Sequence, residues 1–453
     1  MQKVDLLHGR ILPALAKLAF PIMATSLIQM AYNLTDMIWI GRVGSGAVAA
    51  VGAAGMYLWL ANGLATIPRL GGQVKAAHAL GSGDAGQAAE YAAAAFRLGA
   101  LLAAVCTCVY LVCFKPLTAF FRLNDAGVVQ AAEQYLVVVS LGLGFSFFNQ
   151  IFTGLFTAMG ASTVTFRATA AGLAANIVLD PIFIFGPGPM PALGVAGAAI
   201  STVLSQGVVF VLFWLAARRE PLVFARMRVL HRCAVPRYSD ILRIGLPIAV
   251  QSMFFSSLSM IIARLIAGWG DAAVAVQKVG SQIESISWMT ADGFASAVNA
   301  FVAQNFGAKQ PARIRRGMAG AVALMACWGL CCGALLVVCP QVLFRIFIRE
   351  QAVLPLGVDY LRILGYSQLF MCMEITCTGA FQGLGKPMVP TIVSVVLNTA
   401  RIPMALALSA TVLSLNGVWW AITISSILKG LVIPLWLVVV LRQYLRQAAP
   451  AAS

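Results

Sequence analysis

The chain has 453 residues, of which 60% are hydrophobic and 10% charged, with a mean hydropathy of +0.89 and a formal charge of +16. A soluble domain carries about 25% charged residues, so this composition describes an integral membrane protein, and the absence of strand-like alternation favours a helical bundle over a barrel. The positive charge does not point to nucleic acid, because the basic residues sit in short loops between apolar runs, where they act as topology signals.

About 20 apolar residues cross a bilayer as a helix. Twelve runs are long enough, near 14–40, 47–72, 90–115, 131–158, 163–186, 193–217, 240–268, 274–303, 317–340, 355–383, 388–411 and 417–443. The longest polar connection between them, Arg218 to Arg243, holds Arg218, Arg219, Arg226, Arg228, Arg232, Arg237 and Arg243. It divides the chain into an N-terminal lobe (1–220), a cytoplasmic linker (221–240) and a C-terminal lobe (241–453). Of the 31 Lys and Arg residues, 21 fall in loops on the side of the N-terminus and seven in loops on the other side. The positive-inside rule then puts both termini in the cytoplasm, and the chain is expected in the plasma (inner) membrane as a monomer. The start, with Asp5, His8 and Arg10, lacks a small-residue cleavage site and reads as a cytoplasmic tail.

The ten cysteines lie mostly inside apolar runs without metal-ligand spacing, as small buried hydrophobes do. His8, His78 and His231 fall in expected loops, so neither a His-ligated metal nor a His base is indicated. No nucleophile elbow or Gly-rich phosphate loop occurs, which counts against a membrane-embedded enzyme, and no cofactor is expected.

The two halves are copies. Phe20-Pro21-Ile22 pairs with Leu246-Pro247-Ile248, Gly44 with Gly270, Ala47-Val48-Ala49 with Ala273-Val274-Ala275 and Gly81 with Gly307, all at an offset of 226. Thr153-Gly154 pairs with Thr378-Gly379 and Gly160 with Gly385 at 225, Asn176 with Asn398 and Pro181 with Pro403 at 222, and Gly194-Val195 with Gly417-Val418 at 223. Six helices per copy is an even number, so both copies enter from one side and the repeat is parallel, about an axis along the membrane normal.

Within the apolar runs, acids mark the places where chemistry is expected, because a charge in hydrocarbon is costly. In Asn176-Ile177-Val178-Leu179-Asp180-Pro181 the amide and the acid are four apart and share a helix face. Pro181 cannot donate to the Ile177 carbonyl, so carboxylate, amide oxygen and a spare carbonyl make a proton or hard-cation site; the plainer alternative is a proline kink with a polar patch that glues helices. Asp36 lies at a similar depth, and two acids at one depth on neighbouring helices could share a proton or a sodium ion, with Asn176 as a ligand. Neither acid has an acidic mate in the second copy: Asp36 faces Ile262 and Asp180 faces Ile402. Tyr32 and Asn33 stand one turn before Asp36. In the second half Lys278, Glu284, Asp292, Glu374 and Arg401 are polar at depth, with Glu374 and Arg401 expected to pair. Tyr32, Asn33, Met253, Phe254, Glu284, Met289, Glu374 and Arg401 are the candidate lining of a substrate cavity, with the methionines and aromatics as an adaptable wall.

Asn33-Leu34-Thr35-Asp36 followed by Ile40-Gly41-Arg42-Val43-Gly44, the Asn176 to Pro181 stretch, Gly194-Val195-Ala196-Gly197-Ala198-Ala199 and Gln304-Asn305-Phe306-Gly307-Ala308 together resemble the multidrug and toxic compound extrusion (MATE) family over nearly the whole chain. The resemblance implies an all-α fold of twelve transmembrane helices in two six-helix lobes, and cation-coupled antiport of amphipathic, often cationic compounds out of the cell by alternating access. It also implies ion binding, proton or sodium, at Asp36, Asn176 and Asp180, with Thr202 of Ser201-Thr202-Val203 added on the same ground. The NorM-type branch carries a glutamate in its seventh span and an aspartate in its tenth, where this chain has Phe254-Phe255-Ser256 and Met371-Cys372-Met373, so the pattern is more like the DinF-type branch. The alternative is a lipid-linked oligosaccharide or polyprenyl-phosphate precursor flippase of the same superfamily, which would need a basic central cavity.

Overall fold

The computed structural model describes residues 3–121, 125–186, 191–228, 235–347 and 353–448. His231 and Arg232 of the expected linker, and Arg122 and Arg349 of the topology count, lie outside the described residues. Fifteen helices occur among those described: α1 (Ile11–Val43), α2 (Ser45–Gly81), α3 (Ala85–Ala119), α4 (Ala126–Leu141), α5 (Leu143–Ala158), α6 (Ser162–Phe185), α7 (Gly194–Arg218), α8 (Val235–Ala267), α9 (Asp271–Gly307), α10 (Pro311–Val338), α11 (Pro340–Arg345), α12 (Leu354–Gly365), α13 (Gln368–Gly383), α14 (Met388–Ser409) and α15 (Leu415–Ala448).

Among the described residues nine helices are long and apolar enough to cross a bilayer, and ten if α4 and α5, bent by 50° at Gly142, form one broken span. Twelve runs were expected from the sequence. The shortfall has a physical cause: α9 carries Gln277, Lys278, Gln282, Glu284 and Asp292 along its length, and α12 and α13 are broken into pieces of 12 and 16 residues. His78 falls in the last turn of α2 and not in a loop. Cys106, Cys372 and Cys377 are buried, whereas Cys108, Cys327 and Cys331 are exposed on their helices, so only some of the cysteines fill the interior.

Two compact units are present, one of Met1–Asp5 with Phe20–Ala249, the other of Leu6–Ala19 with Val250–Ser453. They differ at two places from a simple cut at the 221–240 connection: the first turns of α1 group with the second unit and the first half of α8 with the first. Both exchanges fall within three residues of the repeat-related prolines Pro21 and Pro247, each inside its helix.

In the first unit, phenylalanines build the core: Phe152 and Phe213 stack at 5.5 Å, Phe156 and Phe213 at 5.8 Å, and Phe224 closes on Phe156 at 5.2 Å. In the second, the Tyr360 ring meets Trp419 edge-on at 5.2 Å. Backbones approach closely through small residues, the usual packing device where lipid supplies no hydrophobic drive between helices. A Cβ on Gly154 would stand 2.8 Å from the Arg69 carbonyl oxygen, and one on Gly379 would stand 2.5 Å from that of Ala295. Gly379 and Ala295 are the register mates of Gly154 and Arg69, so the repeat seen in the residues is also a repeat of contacts. Gly44 and Gly270, at φ 142° and 98°, break the chain between α1 and α2 and between α8 and α9, and Gly160 and Gly385 share a left-handed φ of 74° and 71°.

The connection after α7 starts as ordered structure. Glu220 accepts from the amides of Leu222, Val223 and Phe224 at 2.8–3.1 Å and from Lys3 Nζ at 2.6 Å, and Phe224 is buried. Burial opposes the Glu220 charge, but Lys3 and the three amides outweigh it and hold the carboxyl below its ordinary range.

Candidate cation-coupling site

Four helices of the first unit supply the site: Tyr32 and Asp36 from α1, Tyr135 from α4, Asn176 and Asp180 from α6, Ser201 and Thr202 from α7. The spacing read from the sequence holds on α6, where Asn176 and Asp180 are adjacent on one face and both fully buried. Asn176 Nδ2 donates to Asp180 Oδ1 at 3.0 Å and to Ser201 Oγ at 3.4 Å. Asp36 and Asp180 lie close enough to repel one another, and Tyr32 and Tyr135 are within electrostatic reach of both. Among the described residues neither acid forms an ion pair.

Five buried polar atoms here have no hydrogen-bond partner: Asp36 Oδ1, Asp180 Oδ2, Asn176 Oδ1, Thr202 Oγ1 and Tyr32 Oη. A hydroxyl in a helix commonly bonds the carbonyl one turn back, and Thr25, Thr35 and Thr399 do so. Thr202 does not, and the hydroxyls of Tyr32 and Tyr135 are its neighbours. Unmatched buried oxygens are rare because each forfeits its solvation. Four of the five belong to Asp36, Asn176, Asp180 and Thr202, the residues singled out for a cation, and oxygen-only donors suit a proton or a sodium ion.

The proposed cavity residues spread over both units. In the first, Tyr32 is half-buried beside the acids, while Asn33 is exposed on the other side of the turn. In the second, Met253, Phe254 and Met289 are half-buried, as is Glu284, which accepts from Gln368 Nε2 at 3.0 Å. Glu374 and Arg401 do not form the expected pair. Glu374 is paired with Lys429 at 3.0 Å, and Arg401 donates to Ser425 at 2.9 Å and Ser426 at 3.1 Å, all of them buried. Lys278 and Asp292 are exposed on α9. Two members of the site were missed from the sequence. Ser201 adjoins Thr202 and shares its run, so it could have been found; Tyr135 carries no local mark that separates it from an ordinary span tyrosine.

Carboxylates, an amide oxygen and hydroxyls brought together inside a bundle of spanning helices are the chemistry of a membrane transporter's ion site. The chain belongs to the MatE family, whose model matches residues 21–182 and 247–407. Those two matched segments start 226 residues apart, the offset of the internal repeat. Among the similar proteins are the probable multidrug resistance protein NorM of Thermotoga maritima, 27% identical over 416 residues that make up 89% of this chain and 87% of the relative, and the protein of the same name from Deinococcus radiodurans, 27% identical over 434 residues and 93% of each chain. A solved structure described as the outward-facing conformation of a multidrug resistance MATE family transporter of the MOP superfamily superposes with a TM-score of 0.89 at 24% identity, over 98% of this chain and 99% of that one, which establishes the fold. These two relatives carry the NorM name, so they give no support to a DinF-type assignment.

Proposed function

We propose that the protein is a secondary multidrug exporter that couples the inward movement of a cation, proton or sodium, to the outward movement of amphipathic, often cationic compounds. The observation that carries this reading is the pair of acids, half-buried Asp36 and buried Asp180, with no ion-pair partner among the described residues and with unmatched oxygens of Asn176 and Thr202 beside them. A cation bound there removes the cost of an unpartnered charge, and only a ligand with different affinity for two states can shift a two-state equilibrium. Twelve spans in two six-helix lobes, 1–220 and 241–453, joined by the cytoplasmic 221–240 connection, with both termini cytoplasmic in the plasma membrane and a monomeric chain, complete the reading. On this reading coupling belongs to the first lobe, the DinF-type arrangement, and Tyr32, Asn33, Met253, Phe254, Glu284 and Met289 line the substrate path.

A polyprenyl-phosphate flippase is disfavoured, because buried Lys429 is already neutralised by Glu374 and is not free to hold a pyrophosphate. The test is dye efflux from proteoliposomes with pH and sodium gradients imposed separately. One of the two gradients should drive efflux in the parent and fail to do so in Asp36→Asn. Equal efflux with neither gradient imposed would refute coupling.

A further inference from the structure

The second unit contains a counterpart of the acid site in which the chemistry is inverted. On α14, Asn398 stands at the register of Asn176 and Ile402 at that of Asp180, both at an offset of 222; Asp36 likewise has Ile262 as its mate, buried in the apolar core of that unit. The hydroxyl is kept, since Thr202 maps to Ser425 at the α7/α15 offset of 223. Beside the lost acid there is a gained base. Arg401, 7% exposed, directs Nε at Ser425 Oγ (2.9 Å) and Nη2 at Ser426 Oγ (3.1 Å), and Ser425 Oγ in turn donates to the Leu397 carbonyl at 3.1 Å. Asn398 Oδ1 is left without a partner, just as Asn176 Oδ1 is.

The charges balance differently in the two units. Around the first site there are two acids, Asp36 and Asp180, and among the described residues no base pairs with either. In the second, the buried or half-buried acids Glu284 and Glu374 face the buried bases Arg401 and Lys429: Lys429 pairs with Glu374 at 3.0 Å, and Arg401 lies within electrostatic reach of both carboxylates. Tyr360 and Gln368 complete the polar neighbours of Glu284. The ring of Phe255 faces the guanidinium at 5.9 Å. A buried charge must be matched by something. One unit carries its own matching cations on the chain, and in the other the two acids share one cation taken from solution.

We propose that Arg401 is a resident cation: one residue before the register of Asp180, where the first unit binds a mobile proton or sodium ion, the second holds a guanidinium that belongs to its own chain. The second unit is thereby locked in the equivalent of the ion-loaded state, and one cation equivalent binds per molecule. This rests on the reading of Asp36 and Asp180 as the coupling site, and it adds the stoichiometry and the residue that sets it.

The experiment counts cations on the purified full-length protein in detergent. Two quantities are summed: 22Na+ bound at equilibrium, and protons taken up from an unbuffered indicator solution across pH 8 to 5, relative to an Asp36→Asn/Asp180→Asn baseline. The parent should bind one equivalent and Arg401→Gln one more, because removing the guanidinium exposes the acids it balanced. Arg401→Lys, which keeps the charge, should stay at one. In Asp36→Asn the first equivalent should vanish, and in Asp36→Asn/Arg401→Gln the added one should remain. As a variant that does not remove the buried base, Ile402→Asp sets a third acid against two bases and should likewise add one cation. Parental stoichiometry in a monodisperse Arg401→Gln, or in a monodisperse Ile402→Asp, overturns the proposal. If instead the parental equivalent survives in Asp36→Asn, the reading of the first unit fails, while the difference between Arg401→Gln and Arg401→Lys still decides the role of Arg401.

Discussion

Asn176 spends its donor on Asp180, Nδ2 to Oδ1 at 3.0 Å, and so turns its own oxygen away from the carboxylate. The amide holds the acid in place on one side and leaves acceptors on the other: Asn176 Oδ1 and Asp180 Oδ2 are both buried without a partner. An amide that simply neutralised the acid would leave no acceptor over. This arrangement orients a carboxylate for a third party.

The first prediction concerns the two acids. Burying an unpartnered charge among spanning helices costs about 2.5–3.5 kcal/mol, so replacing Asp36 by Asn should cut gradient-driven efflux about a hundredfold with membrane abundance retained. Asp180→Asn should do nearly the same. The double variant should be no worse than the worse single one, because a shared site is broken once. Additive partial losses in efflux assays would show two independent acids.

Thr202→Val keeps the shape and removes the unmatched hydroxyl. One neutral hydrogen-bonding group is worth about 0.5–1.5 kcal/mol, so apparent cation affinity, read from the cation concentration that gives half-maximal efflux, should weaken about three- to tenfold with the maximal rate kept. An unchanged midpoint would make Thr202 a bystander.

Glu284 and Glu374 should separate cleanly. Glu374→Gln strands Lys429 as a buried unpaired charge, a loss of about 3–5 kcal/mol, so its defect should appear in thermal stability and be rescued by adding Lys429→Met. Glu284→Gln breaks no direct ion pair but removes a carboxylate within electrostatic reach of buried Arg401, so it should cost less stability than Glu374→Gln while weakening efflux of cationic dyes more than of neutral ones. Rescue of neither property, or an equal effect on both dye classes, would count against these assignments.

Glu220 gives a prediction outside the spans. Its carboxyl is held below its ordinary range in the folded chain, so the stability it contributes is fully present above the unfolded value of about 4.3 and disappears as pH falls through the lower folded value. Glu220→Gln should lower the unfolding temperature at pH 7 by the equivalent of about 1.5–3 kcal/mol. The gap from the parent should close as the pH is taken below about 4. A gap that persists in acid would mean that the side chain acts by packing alone.

What could be read from the residues follows from cost. Asp36, Asn176 and Asp180 stand out because polar groups are expensive inside an apolar run, and Pro21 with Pro247 stands out because the repeat keeps its offset. Tyr135 has no such mark, since a tyrosine in a span is cheap, and Thr202 was reached only through family resemblance. The Glu374 partner was misjudged for another reason. Arg401 and Lys429 are both bases on helices packed near α13, and which of them meets the acid depends on how the helices are rotated against each other, which spacing along one chain does not encode. Hydropathy failed at α9 for the same reason that the acids succeeded: that helix carries its polar groups throughout its length.

Gly154 and Gly379 press against backbone oxygens at Arg69 and Ala295, two positions with nothing in common but their register. The contact asks only for a missing side chain on one helix and a carbonyl on the other, so it is present in both copies, whereas Asp36 and Asp180 have isoleucines as their mates. Each molecule therefore contains its own reference specimen, one scaffold written twice and furnished once. A substitution that harms both members of a register pair reports on architecture. One that harms only the first copy reports on ion chemistry, a distinction that most proteins allow only by comparison with a second molecule.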